Sequence, residues 1–132
     1  MTMHASTDLR NDWLDRILTI VGASPTLKIL TGAAPADCAA AETGTVIATM
    51  TLPATWLGAA AGGSISKSGT WEDASADNGG TATYYRIYQG ATCHLQGSVT
   101  ISGGGGELEL DAVVITAGQT VTITSYTFSF AA

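Results

Sequence analysis

The chain has 132 residues and a net charge of −6, with 45% hydrophobic but only 12% charged residues. That length supports one domain around one core. Charge well below the roughly 25% of ordinary soluble domains leaves Thr, Ser, Gly and Gln to make the polar surface. No basic run exists to replace the counterions of a nucleic acid, and no apolar run is long enough to span a bilayer, so neither kind of partner is expected.

Asp8, Arg10, Asp12, Asp15 and Arg16 interrupt the apolar residues at the start, so no signal peptide is read there. Residues 7–21 instead predict an amphipathic helix, capped by Ser6 or Thr7 and favoured by Asp8 at its positive end. Leu9, Trp13, Ile17 and Val21 recur every fourth position, and Leu14 and Leu18 widen the stripe. Gly22 and Pro25 stop it. The stripe either covers the domain's own core or docks on a partner, which makes Trp13 and Ile17 interface candidates. Residues 1–24 are thus read as a helical arm and 25–132 as the β domain.

Leu27 to Leu30 is a short strand, followed by a small-residue loop. Thr45 to Leu52 alternates, with Val46, Ala48, Met50 and Leu52 on one side and Ile47 as the exception. Pro53 ends it. The Ala- and Gly-rich stretch 54–63 carries Trp56 and Leu57, read as a loop whose aromatic plugs into the domain or a neighbour and named as further interface candidates. Two short strands are expected around Ser68-Gly69.

Asp77-Asn78-Gly79-Gly80 then leads into Thr81-Ala82-Thr83-Tyr84-Tyr85-Arg86-Ile87-Tyr88-Gln89. Here Tyr84, Arg86 and Tyr88 share one pleat face, and Tyr85 and Ile87 the other. Bulk on both faces marks a central strand. A guanidinium in mid-strand requires a carboxylate, a ring of carbonyls or solvent at its tip, so Arg86 is assigned a structural role, as the anchor of an internal salt bridge or carbonyl cluster, with contact to a partner as the alternative.

Cys93 to Ile101 is the next strand, with Leu95, Val99 and Ile101 in phase. The run Gly103–Gly106 is read as a flexible hairpin loop. Glu107 to Ile115 follows, with Leu108, Leu110, Ala112 and Val114 inward. In the last strand, Gln119 to Phe130, Val121 and Ile123 lie on odd positions but Tyr126, Phe128 and Phe130 on even ones. One face cannot hold both sets, which predicts a bulge near Thr124-Ser125 or a change of packing environment. About eight short strands without βα alternation indicate an all-β, jelly-roll-like antiparallel sandwich with an N-terminal helix.

Catalytic chemistry finds little footing. His4 and His94 are isolated, and neither makes a metal motif with Cys38 or Cys93. Glu72, Asp73 and Asp77 read as a solvated acidic turn, because they lack the ligand alternation of a calcium loop. No Lys-Ser or Lys-Thr follows the glycine run, so it is no phosphate cradle. Glu107 and Glu109 fit outward strand positions better than a glycosidase pair. No catalytic, metal or cofactor site is therefore expected. The two cysteines are taken as free thiols, with a bridge between them left open.

The order of segments carries a resemblance. After the leader helix come Leu27-Lys28-Ile29-Leu30-Thr31-Gly32, Pro35-Ala36, Leu52-Pro53 and Ala59-Ala60-Ala61-Gly62-Gly63. Ala76-Asp77-Asn78-Gly79-Gly80-Thr81-Ala82-Thr83-Tyr84-Tyr85-Arg86-Ile87, Gln96-Gly97-Ser98-Val99 and Thr120-Val121-Thr122-Ile123 follow. This pattern resembles structural proteins of tailed bacteriophages, most of all capsid cement or decoration proteins with a jelly-roll fold. The resemblance spans nearly the whole chain and is sharpest at Gly80 to Ile87.

It implies a non-enzymatic virion protein on the outer capsid surface, made in the bacterial host cytoplasm. Such a protein ties neighbouring major capsid protein subunits together as a dimer or trimer. The acidic charge suits that outer surface. Two alternatives are a lectin-like binding module of a tail or fibre, with Trp56, Trp71 and tyrosines exposed in one groove, and a jelly-roll hydrolase with convergent carboxylates or a metal.

Overall fold

In the computed structural model, which describes residues 4–129, one helix precedes ten strands. Helix α1 (Thr7–Val21) has the expected ends: the Ser6 hydroxyl accepts from the Leu9 amide at 3.2 Å, and Gly22 leaves the helix at φ 88°. Leu14 and Val21 are buried, and Ile17 and Leu18 pack at the core's edge. Two side chains then fasten the helix to the chain ahead of β3 (Ser64–Ser66). Asn11 Oδ1 accepts from the Gly63 amide and Asp15 Oδ1 from the Ala60 amide, both at 2.9 Å. The helix therefore covers the domain's own core, while Leu9, Trp13 and Ile20 face outward.

Strands β1 (Thr26–Leu30), β2 (Val46–Thr51), β6 (Tyr84–Gln89), β7 (Thr92–Ile101), β8 (Leu108–Leu110) and β10 (Val121–Ser129) form, with β3, one curled sheet. Its order is β2-β1-β6-β7-β8-β10-β3. The short strand β4 (Glu72–Asp73) also pairs with β10, and β5 (Gly80–Thr81) with β9 (Val114–Ile115) makes a separate ribbon. The curl encloses a single core, so the chain is an all-β, jelly-roll-like sandwich with an N-terminal helix. β6 lies between β1 and β7, the central position that its two bulky faces require.

The phase change in the last strand is a bulge. The register of β10 against β8 shifts between Ile123 and Ser125, which lets Val121, Ile123 and Tyr126 all turn inward. Phe128 is half-buried beside Tyr126; Phe130 lies outside the described residues.

Four expectations are corrected. The sheet is mixed rather than purely antiparallel, because β8 runs parallel to β7 with Val99 opposite Leu108 and Ile101 opposite Leu110. A parallel return normally needs a long crossover. Here the glycine run coils tightly over Thr100: a Cβ on Gly104 would come within 2.7 Å of Thr100 Cβ, and one on Gly106 within 2.9 Å of Thr100 Cγ2. The run is a close-packed reversal, not a flexible hairpin loop.

The stretch 107–115 is also not one strand. It breaks after Leu110 and resumes out of phase, which buries Ile115 and leaves Val114 exposed. Ile101, at the end of β7, is likewise exposed.

Lastly, the 54–63 loop plugs its aromatic into the domain and not into a neighbour, which removes Trp56 and Leu57 as surface interface candidates. Both are buried, and Trp56 donates from Nε1 to the Gly22 carbonyl at 3.1 Å while its ring lies 6.0 Å from that of Trp71. The small residues around Trp56 let the loop fold inward, so its indole closes the core beneath the helix end. Trp71 is buried as well.

Candidate functional site

The alternation of β6 sends Tyr85 and Ile87 into the core and Tyr84, Arg86 and Tyr88 to the other face. β1 places Lys28 beside Arg86 and Thr26 beside Tyr88, and β7 places Gln96 across from Arg86. This face is crossed by the connection from β1 to β2, a strap spanning residues 32–44. The strap's base is closed by the Thr31 amide on the Thr45 carbonyl and the Thr45 amide on the Thr31 hydroxyl.

Arg86 is 2% exposed and spends its donors on neutral acceptors. Nε reaches Gln96 Oε1 at 2.8 Å, Nη1 the Tyr88 hydroxyl at 3.2 Å, and Nη2 the carbonyls of Asp37 and Ala40 at 3.0 and 2.9 Å. Of the environments expected for this residue, a carboxylate, carbonyls or solvent, the carbonyl cluster is the one found. Gln96 continues the network by donating to the Pro35 carbonyl at 2.8 Å. Tyr84 donates to the Thr43 carbonyl at 2.6 Å and accepts from the Thr43 amide at 3.1 Å.

Beside Arg86 lies an open depression of about 620 Å³, floored by Thr26, Lys28, Arg86 and Tyr88 and walled by Glu42 and the small residues Ala40, Ala41, Gly90 and Ala91. Lys28 Nζ is 3.3 Å from Glu42 Oε2 and 4.8 Å above the Tyr88 ring, and the Tyr88 hydroxyl donates to Glu42 at 2.7 Å. Burial alone would raise the Glu42 carboxyl. The bonds from Tyr88 and Lys28 outweigh it and hold Glu42 below the usual carboxylate range. Tyr88 is raised, by burial first and then by the carboxylate that accepts its hydrogen bond. These groups satisfy one another within the depression.

Cys38 and Cys93 line the same depression and are joined by a disulfide, with Cα atoms 5.4 Å apart. The expectation of free thiols is therefore wrong. Sequence spacing could not reveal the bridge, because it depends on the strap crossing β6 to reach β7. Glu42, Lys28 and Gln96 were missed for the same reason. The only available signal was that a mid-strand arginine must have partners somewhere.

On the inner face, Tyr85 and Tyr126 share a hydroxyl–hydroxyl hydrogen bond of 3.0 Å with rings edge-to-face, and Tyr126 also packs on Trp71 at 5.1 Å. Burial pushes Tyr85 up to about 12 and raises Tyr126 too. The folded state thus keeps protons that unfolded tyrosines release near pH 10, so this pair's contribution is complete below about pH 10. It should be lost as pH rises towards about 12. In an absorbance titration of the phenolates, Tyr85 and Tyr126 should ionise late and together with loss of fold. Ionisation of all four tyrosines near their ordinary value in a still-folded protein would refute this.

The acids of the 72–77 turn and of the 107–109 segment serve local contacts. Asp73 accepts from the amides of Thr49 and Ser75, and Asp77 from the Thr49 hydroxyl, so the acidic turn covers the free edge of β2. Glu107 accepts from Ser98 and Glu109 from the Gly105 amide. Among the described residues, no three His, Cys, Asp or Glu side chains converge, and no helix is long and apolar enough to cross a membrane. Comparison with protein-family models, with curated proteins and with solved structures finds no match.

Proposed function

We propose that the protein is a non-enzymatic structural component of a tailed-phage virion, one that decorates the outer capsid surface as a homo-oligomer and bridges neighbouring major capsid protein subunits. The mutually satisfied polar network carries this reading. In the depression beside the strap, Arg86, Tyr88, Glu42 and Lys28 bond to each other and to the strap, so their chemistry is committed to holding the surface together. The jelly-roll-like fold and the resemblance of the Gly80 to Ile87 stretch support it further. A lectin-like module with Trp56 and Trp71 in an exposed groove has lost its motive, since both are buried.

The test is incubation of purified protein with capsids lacking it, followed by sedimentation and electron cryo-microscopy. Saturable binding at a fixed stoichiometry, with density over junctions between capsid subunits, is the expected result. A protein that stays monomeric and never sediments with capsids removes the reading.

A further inference from the structure

The strap is unusual in what holds it. From Thr31 to Thr45 no residue is buried, so no apolar anchor ties it to the core. Its tethers are hydrogen bonds from Thr83, Tyr84, Arg86 and Gln96 to its backbone, the half-exposed bonds of Glu42 to Tyr88 and Lys28, and one covalent link, Cys38–Cys93. Segments with little buried apolar surface open at low cost, independently of the core. The bridge is half-buried and lines the open depression, where a small thiol can reach it.

We propose that Cys38–Cys93 is a redox latch on this strap. In a reducing compartment the strap is released and the Arg86 guanidinium is uncovered; in an oxidising one the strap is locked over the Tyr84–Arg86–Tyr88 face. The opening step is thiol–disulfide exchange with a dithiol. One thiolate attacks a sulfur of the bridge to give a mixed disulfide, and the second closes the reagent into its own cyclic disulfide. Two electrons and two protons pass to the protein, which leaves Cys38 and Cys93 as thiols. The latch does not depend on what the protein attaches to.

Hydrogen exchange of the intact protein, with and without dithiothreitol, tests it. On reduction the amides of Ala39, Ala40 and Thr43, which are hydrogen-bonded in the locked strap, should exchange at least about ten-fold faster. The ladder amides between β1 and β6 should keep their protection. Phenylglyoxal should modify Arg86 only after reduction, while exposed Arg16 reacts in both forms. A Cys38→Ser/Cys93→Ser protein should behave as the reduced form without any reagent. Unchanged strap exchange would mean that the hydrogen bonds alone hold the strap, and loss of protection throughout β1 and β6 would make the bridge a staple of the whole fold. Either result overturns the latch.

Discussion

Trp56→Ala should lower the melting temperature by about 10–20 °C, because removing a fully buried indole costs on the order of 3–5 kcal/mol in a domain of this size. The ring is 0% exposed, packs against Trp71 at 6.0 Å and ties the helix end to the core through the Gly22 carbonyl. Collapse around the gap is resisted because the neighbours are large: Trp71 is itself wedged between Trp56 and Tyr126. A thermal melt followed by circular dichroism reads the effect directly. A variant melting within about 3 °C of the parent, less than a kcal/mol of stability, would show that the loop does not close the core. Had Trp56 been a surface attachment residue, the same substitution would have left the isolated fold intact.

A chain ending at Thr124 should not fold cooperatively. It keeps the pairing of Val121 and Thr122 with β4 but loses Tyr126, Phe128 and the partner of β3, whose register runs Thr127 to Ser66 and Phe128 to Ile65. Loss of Tyr126 alone is worth about 3–5 kcal/mol as a large-to-small core change. Tyr85, 1% exposed, would also keep a hydroxyl with no partner, adding about 1–3 kcal/mol. Together with the lost strand pairing this matches the roughly 5–15 kcal/mol that holds a small domain folded. The expected observation is a flat melt and loss of near-ultraviolet dichroism, with Tyr126→Phe retaining a cooperative transition. A truncated chain that melts where the parent does would show that the strand is peripheral.

Local sequence determined those features whose physics is itself local. The helix from Thr7 to Val21 follows from a four-residue apolar period between a serine cap and a glycine stop, both decided within one turn of chain. The central strand follows from bulk on both faces of Tyr84 to Tyr88, and the bulge near Thr124 from two apolar sets in opposite phase. Arg86 was legible as a buried cation in need of acceptors, since a charge in mid-strand has few alternatives.

Tertiary structure decided what depended on which distant segments meet. The glycine run could be a loose hairpin or a tight parallel return, and only its coil over Thr100 separates the two. Trp56 sits among alanines and glycines, a composition equally suited to an exposed loop and to one that folds inward; the space under the helix end selected burial. The strap's acceptors for Arg86 are backbone carbonyls, which every sequence supplies and none advertises. The Cys38–Cys93 bridge likewise arises only because the strap crosses β6 to reach β7, a proximity set by strand order and not by spacing along the chain.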